Sequence, residues 1–381
     1  MKTVGWFVAL AGAFVLAVVQ DDDAPPPKQL SKKTTTLPAP TSNVDGVPDV
    51  GIDELLGRGG RKAHAERLAR TKVGGKVYGW DDYERWGKEL YFNCQVAKPP
   101  IGPAPSKLIS EFYKCSHCHN HLREDRILSK QDPENRFAMI LEQPAKKIEP
   151  GALDAPLRLQ PGTTMWGAVN RDSFYNDSYM IYHRLTVGGG RPMNPQSLED
   201  ATQVCCTYCS VGRLAEEWEI LAMLTYFWSL EVKLADLDLP TAAAATMAAV
   251  LRAPSSERDP VQVANARKTL GQLYLARAGD EYTAVPKDLK TDSQGPYPDK
   301  AQFQGDVAIG KKLYSVACDH CHGEGKPNET AGSDLVRNLS KYHAVLAYGT
   351  QQDKEAYMPM FSRQRLSRQQ IADIQAYLKS L

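Results

Sequence analysis

The sequence predicts a mainly α-helical protein, built from two helical domains with long loops, the first of which carries a large insertion. Three observations support this prediction. Alternation of apolar and polar residues with period two is almost absent, so there is little sign of sheet. Stretches such as LAEEWEILAMLTYFWSLEVKL (214–234) place apolar residues at helical spacing instead. The spacing C-x-x-C-H occurs twice, 203 residues apart, which indicates two units of similar design.

Length and composition limit the class of protein. The 381 residues, of which 42% are hydrophobic, provide for two or three domains with their own cores. A net charge of +1, with no basic tract, argues against a nucleic-acid partner. Eight cysteines are too few for a disulfide scaffold in a chain of this length.

Residues 1–23 have the pattern of a signal peptide or an N-terminal membrane anchor. Lys2 precedes an unbroken apolar run from Val4 to Val19, and three aspartates follow. The run is just shorter than the roughly 17–25 residues of a membrane span. Because no Ala-x-Ala cleavage site precedes Gln20, we favour a retained anchor over a removed signal peptide. Either interpretation predicts an extracytoplasmic or periplasmic location, with membrane attachment through this segment.

The remaining chain divides by composition. Residues 24–50 are rich in proline, threonine and lysine and predict a tether. A first domain is expected over 51–240, with its insertion near 125–200. A helical and polar linker over 241–300 leads to a compact last domain over 301–381.

The two C-x-x-C-H motifs predict two covalently bound c-type haems. Two thiols at this spacing can each add to a haem vinyl group, and the adjoining histidine can bind the iron. A zinc site would need four clustered ligands, and a thioredoxin-like redox motif a βαβ context. The expected haem-binding residues are Cys115, Cys118 and His119 in the first motif, and Cys318, Cys321 and His322 in the second.

The last domain resembles the class I c-type cytochromes. The stretch GDVAIGKKLYSVACDHCHGEGKPNETAGSDL (305–335), followed by YMPMFSRQRLSRQQIADIQAYLKSL (357–381), carries this resemblance. It has the Gly-x-x-x-Tyr helix before the haem motif, the Met-Pro-x-Phe loop and a last helix with an Ala-Tyr-Leu step. The resemblance implies that His322 is the proximal ligand, that Met358 is the distal sulfur ligand and that Tyr377 packs toward the haem. Met360 is the alternative to Met358.

The first domain is interpreted as a second cytochrome c-like unit. Ile220 and Tyr226 align with Ile371 and Tyr377 at a constant offset of 151 residues, which leaves about 52 extra residues after the first haem motif. The same offset moves Met358 to Thr207. A third cysteine cluster, CCTYC (205–209), therefore lies where the sixth ligand of the first haem is expected.

The sequence leaves that sixth ligand open. We favour a thiolate and name Cys206, with Cys209, Met193 and Met180 as the next candidates. A histidine such as His183, or an open coordination position, is also compatible. The cluster is equally compatible with buried thiols, or with a disulfide to Cys94.

The stretch from the cluster into the next helix, CCTYCSVGRLAEEWEILAMLTYF (205–227), is similar in arrangement to dihaem cytochromes that oxidise thiosulfate. In those proteins a ligating cysteine precedes a helix that contains Trp and Glu. The insertion supplies Arg171 and Arg184, either for an oxyanion substrate or, as we favour, for haem propionates.

The sequence thus predicts an electron-transfer protein rather than a catalyst. Its expected role is one-electron transfer in a respiratory or other membrane-associated chain, with redox proteins or a membrane complex as partners. Two alternatives remain: an oxidoreductase of small inorganic or sulfur substrates, and a haem-bearing structural subunit of a larger membrane complex.

Overall fold

A computed structural model of the chain divides into two compact units, Met1–Thr41 and Ser42–Leu381. The structure describes only residues within the second unit, and the proposed N-terminal anchor lies outside them. The described residues are 51–57, 59–125, 132–142, 157–171, 174, 186–187, 191–192, 197–237, 239, 241–254, 256–270, 304–324, 361 and 365–381.

The predicted mainly α-helical fold is confirmed. The helices are α1 (Ile52–Leu56), α2 (Gly60–Arg70), α3 (Trp80–Asn93), α4 (Cys115–Cys118), α5 (Pro133–Glu142), α6 (Leu198–Val204), α7 (Glu217–Ser229), α8 (Thr241–Arg252), α9 (Pro260–Leu270), α10 (Val307–Ala317), α11 (Asp319–His322) and α12 (Arg368–Lys379). Short 3₁₀ turns occupy Ala168–Asn170 and Leu234–Asp236, and Cys205–Cys209 form a π-helical turn. Strands β1 (Thr186–Val187) and β2 (Arg191–Pro192) pair as an antiparallel ribbon.

The first half of the fold is built on the crossing of α3 and α7. Two aspartates, Asp81 and Asp82, lie in the first turn of α3, where negative charge is favourable to the helix dipole. Helix α7 begins with a capping box, in which the backbone N–H of Glu216 donates to Oε2 of Glu219 at 2.7 Å. The axes approach closely at Gly87, because any Cβ at this position would overlap the carbonyl of Ala222.

The second half repeats this crossing with α10 and α12. Asp306 caps α10 by accepting from the backbone N–H of Ile309 at 2.9 Å, and Ser367 caps α12 in the same way. At Gly310, a Cβ would overlap the carbonyl of Asp373. The structure therefore contains cytochrome c-like pairs of crossed helices in both halves.

The described part of the expected linker contains helices α8 and α9 and packs against the start of the first domain. Met247 and Leu251 of α8, with Leu270 of α9, share a buried apolar cluster with Ile52 and Leu55 of α1. Burial of these side chains holds α8 and α9 against the body of the protein.

The insertion contributes to the core of the last domain. Ile140 of α5, Leu157 and Leu159 belong to the same buried cluster as Leu313 of α10 and Ile371 of α12. The backbone N–H of Leu159 also donates to the carbonyl of Val316 at 3.0 Å. The two halves are thus joined by a shared core.

Among the residues that the structure describes, no helix has both the length and the apolar character that crossing a membrane requires.

Candidate functional site

The first C-x-x-C-H motif lies on α4, directly after the core of the first half. Cys115 packs against the buried cluster that contains Tyr91 and Ile220, and Cys118 ends the helix. Burial raises the pKa of both thiols well above the ordinary value. Cys115 therefore lies against an apolar interior, which suits the attachment of a large apolar macrocycle.

His119 is held in one orientation by the loop that follows in space. Its Nδ1 lies 2.7 Å from the carbonyl oxygen of Thr163, and because a carbonyl only accepts, Nδ1 carries the proton. Gly162 passes so close that a Cβ there would overlap the imidazole ring. Nε2 is therefore the nitrogen with the lone pair, and a hydrogen bond of this kind both orients a metal-binding histidine and raises its basicity.

Tyr91 connects the helix crossing to the motif. Its hydroxyl donates to the carbonyl of His119, and its ring lies 5.4 Å from that of Tyr226 on α7. The second half has the same pair, with 5.5 Å between the rings of Tyr314 and Tyr377. The prediction that Tyr377 packs toward the haem-binding core agrees with its place in the apolar cluster of the last domain.

The third cysteine cluster, residues 205–209, lies beside Nε2 of His119. The thiol sulfur of Cys205 is 4.0 Å from Nε2 of His119. Cys206, which the sequence favoured as the ligand, is 2% exposed and packs in the core of the first half with Cys94 and Ile109. Cys209 ends the π-helical turn and is partly buried. Met180, Met193 and His183 lie outside the described residues.

These positions test whether a haem fits the first motif. The thiol-bearing Cys115 packs against the apolar interior, His119 has its metal-binding nitrogen fixed, and the sulfur of Cys205 lies a short distance from that nitrogen. The donor set and its arrangement therefore fit a haem bound through Cys115 and Cys118, with His119 as a ligand.

The second motif continues from α10 into α11. The backbone N–H of Cys318 donates to Tyr314, and that of His322 donates to Cys318, so the motif is one helical turn. Burial raises the pKa of Cys318 to about 12 and that of Cys321 to about 11. Cys318 belongs to the apolar cluster of the last domain, a setting that fits haem attachment. Met358 and Met360 lie outside the described residues.

The two motifs contact each other. Nε2 of His320, the residue before Cys321, donates to the carbonyl of His117 at 3.0 Å, and the two imidazole rings are 6.2 Å apart. Gln160 of the insertion donates to the carbonyl of Ser116 at 2.7 Å. The insertion and the two attachment segments therefore form one junction.

A buried ionic network closes this junction. The guanidinium of Arg365, from the last domain, binds both carboxylate oxygens of Glu124, which lies five residues after His119. Arg136 of α5 is fully buried beside Glu124 and pairs with Asp125 at 3.2 Å. Arg365 also donates to the carbonyl of Gln160 at 3.0 Å. A bidentate pair fixes both partners in orientation. The network therefore holds the segment after the first motif against the last domain.

The network shifts the pKa of Glu124. Burial by itself raises this pKa, but the guanidinium of Arg365, with smaller contributions from Arg136 and the amide of Asn120, lowers it to about 2. Glu124 is therefore ionised at neutral pH despite being 3% exposed.

Arg171, predicted to bind either a propionate or an oxyanion, lies beside the His119 loop. Its guanidinium donates to Oγ1 of Thr163 at 2.7 Å and to the carbonyl of Thr164. Arg171 thus supports the segment that orients His119. Arg184 lies outside the described residues.

The sequence interpretation missed two features of the site. The first is the repeat GKELY (87–91) and GKKLY (310–314), which contains both crossing glycines and both core tyrosines and was readable in the sequence. The second is the pairing of Glu124 with Arg365. These residues are 241 positions apart, and no local pattern connects them.

Comparison with known proteins identifies the last domain. Residues 305–378 match the family model described as "Cytochrome C oxidase, cbb3-type, subunit III". No curated protein and no solved structure matches the chain. The match supports a c-type cytochrome domain with covalently bound haem c, an electron-transfer role, and redox partners or a respiratory complex.

Proposed function

We propose that this protein is an extracytoplasmic dihaem c-type cytochrome that transfers single electrons within a respiratory or other membrane-associated chain. The match over residues 305–378 supports the haem of the last domain. The second haem, on the first domain, is the part of the proposal that the match does not reach.

One observation carries that second haem. Each half crosses two helices at a glycine, Gly87 or Gly310, and packs a pair of tyrosine rings beside the crossing. Each half also has a C-x-x-C-H motif next to that crossing. Because the same helix pair and the same motif recur together, the first half supports the same cofactor as the second.

The residues of each motif divide the work of binding. Haem c, when bound, supplies an iron that changes between the ferrous and ferric states by one electron. Cys115 and Cys118 fix the first group covalently, and Cys318 and Cys321 fix the second. Thr163 holds the proton on Nδ1 of His119, so that Nε2 is the binding nitrogen. The apolar clusters behind both motifs exclude water.

The junction gives the two sites a fixed relation. His320 and His117 join the motifs directly, and Glu124 and Arg365 join the segments that follow the first motif and precede α12. Electron exchange between two cofactors requires that they stay close. The contacts of the junction support this exchange, with one site receiving electrons from a donor and the other passing them to an acceptor.

The test is the number of haems on each chain. The protein, matured in a host that attaches haem c, is measured by the pyridine haemochrome spectrum and by intact mass. We expect two haems for each chain, and one in a Cys115→Ser/Cys118→Ser variant and in a matched Cys318→Ser/Cys321→Ser variant. A single haem in the unmodified protein, lost only with Cys318 and Cys321, would contradict the proposal.

The location has a separate test. Fractionation of the producing cells is expected to place the haem-loaded protein outside the cytoplasm. Recovery of haem-free protein in the cytoplasmic fraction alone would contradict this part of the proposal.

A further inference from the structure

We propose that Cys205 supplies a thiolate as the sixth ligand of the first haem. This inference rests on the proposed function, since it requires a haem on the first motif. It assigns the ligand to a cysteine that the sequence interpretation did not name for this role.

The imidazole ring of His119 has a fixed orientation. Nδ1 is committed to the carbonyl of Thr163 at 2.7 Å, and Gly162 fills the space beside the ring. The imidazole is therefore fixed with Nε2 toward the thiol of Cys205, 4.0 Å away. A metal-binding nitrogen and a sulfur donor therefore lie close together.

The distance between Nε2 of His119 and the sulfur of Cys205 suits a bound metal ion. Bonds from zinc to histidine nitrogen and to thiolate sulfur, taken as a guide, are about 2.0 and about 2.3 Å, so a metal bound by both on opposite sides would hold the two atoms at the sum, about 4.3 Å, and closer at a bent angle. The observed 4.0 Å is close to this sum. The gap therefore has a size that one metal ion bound by both atoms would need.

The turn that carries Cys205 is closed by several hydrogen bonds. The residues 205–209 form a π-helical turn, a feature that is frequent at functional sites. The turn is closed by the N–H of Ser210 on the carbonyl of Cys205 at 2.8 Å, and by that of Gly212 on the carbonyl of Cys206 at 3.1 Å. The hydroxyl of Ser110 also donates to the carbonyl of Ser210. The backbone that carries Cys205 is therefore held in place.

The neighbouring cysteine has a different environment. Cys206 follows Cys205 directly, so its side chain leaves the turn in another direction, and it packs in the apolar core. Cys206 is therefore a buried thiol in the core, which makes it the matched control for Cys205.

Coordination by Cys205 has a defined chemical balance. The S–H bond of the thiol breaks, a bond from sulfur to iron forms, and the proton passes to solvent. An anionic thiolate donates more charge than a neutral thioether and stabilises ferric iron. The first haem is then the lower-potential partner of a haem with methionine ligation.

The test is the electron paramagnetic resonance spectrum of the fully oxidised two-haem protein, with a redox titration. We expect a low-spin signal of the thiolate type that Cys205→Ala abolishes and that Cys206→Ala and Cys209→Ala retain. In Cys205→Met, the midpoint potential of one haem is expected to rise while that of the other stays unchanged.

Two outcomes would overturn the inference. One is an unmodified protein with two haems and no thiolate signal, a result that does not depend on any variant folding. The other is a thiolate signal that survives in Cys205→Ala. The haem count separates the two proposals, because a protein with only one haem contradicts the proposed function, whereas two haems without a thiolate signal contradict only the assignment of Cys205.

Discussion

Replacing Glu124 by Gln is expected to destabilise the protein strongly, because it removes a buried carboxylate that the guanidinium of Arg365 binds through both oxygens. Glutamine keeps the size of the side chain but loses the charge. Arg365 and Arg136, which are 2% and 0% exposed, would then remain buried with less compensating negative charge. Leaving a buried charge without its partner typically costs about 3–5 kcal/mol.

The pKa of Glu124 gives an independent magnitude. It falls from the ordinary 4.5 to about 2 in the folded protein. At about 1.4 kcal/mol for each pH unit, this difference corresponds to about 3 kcal/mol of stabilisation of the ionised form. Both routes therefore predict a loss of about 3 kcal/mol or more in the free energy of unfolding.

The assay is denaturant unfolding of the haem-loaded protein at neutral pH. The matched control is Glu217→Gln, because Glu217 also pairs with an arginine, Arg67 at 3.6 Å, but is 72% exposed. An exposed pair contributes about 0–1 kcal/mol, so the control is expected to change little. The double variant Glu124→Leu/Arg365→Met is expected to cost less than the sum of its single changes, since it removes both charges.

Two results would refute this prediction. One is a loss in the free energy of unfolding for Glu124→Gln that is no larger than for Glu217→Gln, and the other is a loss in the double variant that equals the sum of its single changes. Either result would mean that the pair contributes little when buried and that the junction is held by its apolar contacts alone.

Two further predictions concern the helix crossings and acid. Gly310→Ala is expected to lower the free energy of unfolding by about 1–3 kcal/mol, because the added Cβ would overlap the carbonyl of Asp373. Gly79 has open space around it, so Gly79→Ala is the control and is expected to change stability little. Equal losses in the two variants would contradict the close approach of the helices at Gly310. Because the folded pKa of Glu124 is depressed, its contribution is complete above pH 4.5 and is lost as pH falls toward about 2. Acid titration of stability should therefore be shallower in Glu124→Gln over this range, and identical slopes would show that Glu124 is not the group responsible.

Local patterns in the sequence determined the fold class and the cofactor motifs. Helical spacing of apolar residues identified α7, the resemblance to class I c-type cytochromes implied α12, and the mainly α-helical prediction is confirmed. The haem motifs were readable because the chemistry of C-x-x-C-H is contained within five neighbouring residues. The repeated GKELY and GKKLY segments were equally local, so the close helix crossings could also have been predicted.

Tertiary structure decided how these local units meet. The constant offset of 151 residues pointed to the third cysteine cluster, but an offset does not specify which side chain of a tight turn faces the histidine. That depends on the π-helical turn, which directs Cys205 toward His119 and Cys206 into the core. The cluster was predicted from sequence, and the facing thiol was not.

The contacts of the junction could not be predicted from the sequence, for a related reason. Leu159 belongs to the insertion of the first domain but packs in the core of the last, and Glu124 binds Arg365 across 241 residues. Spacing along the chain describes what one helix or turn presents, over a few residues. Contacts between segments joined by long loops depend instead on how complete surfaces fit and on which buried charges must be paired, and these are settled only when the whole chain has packed.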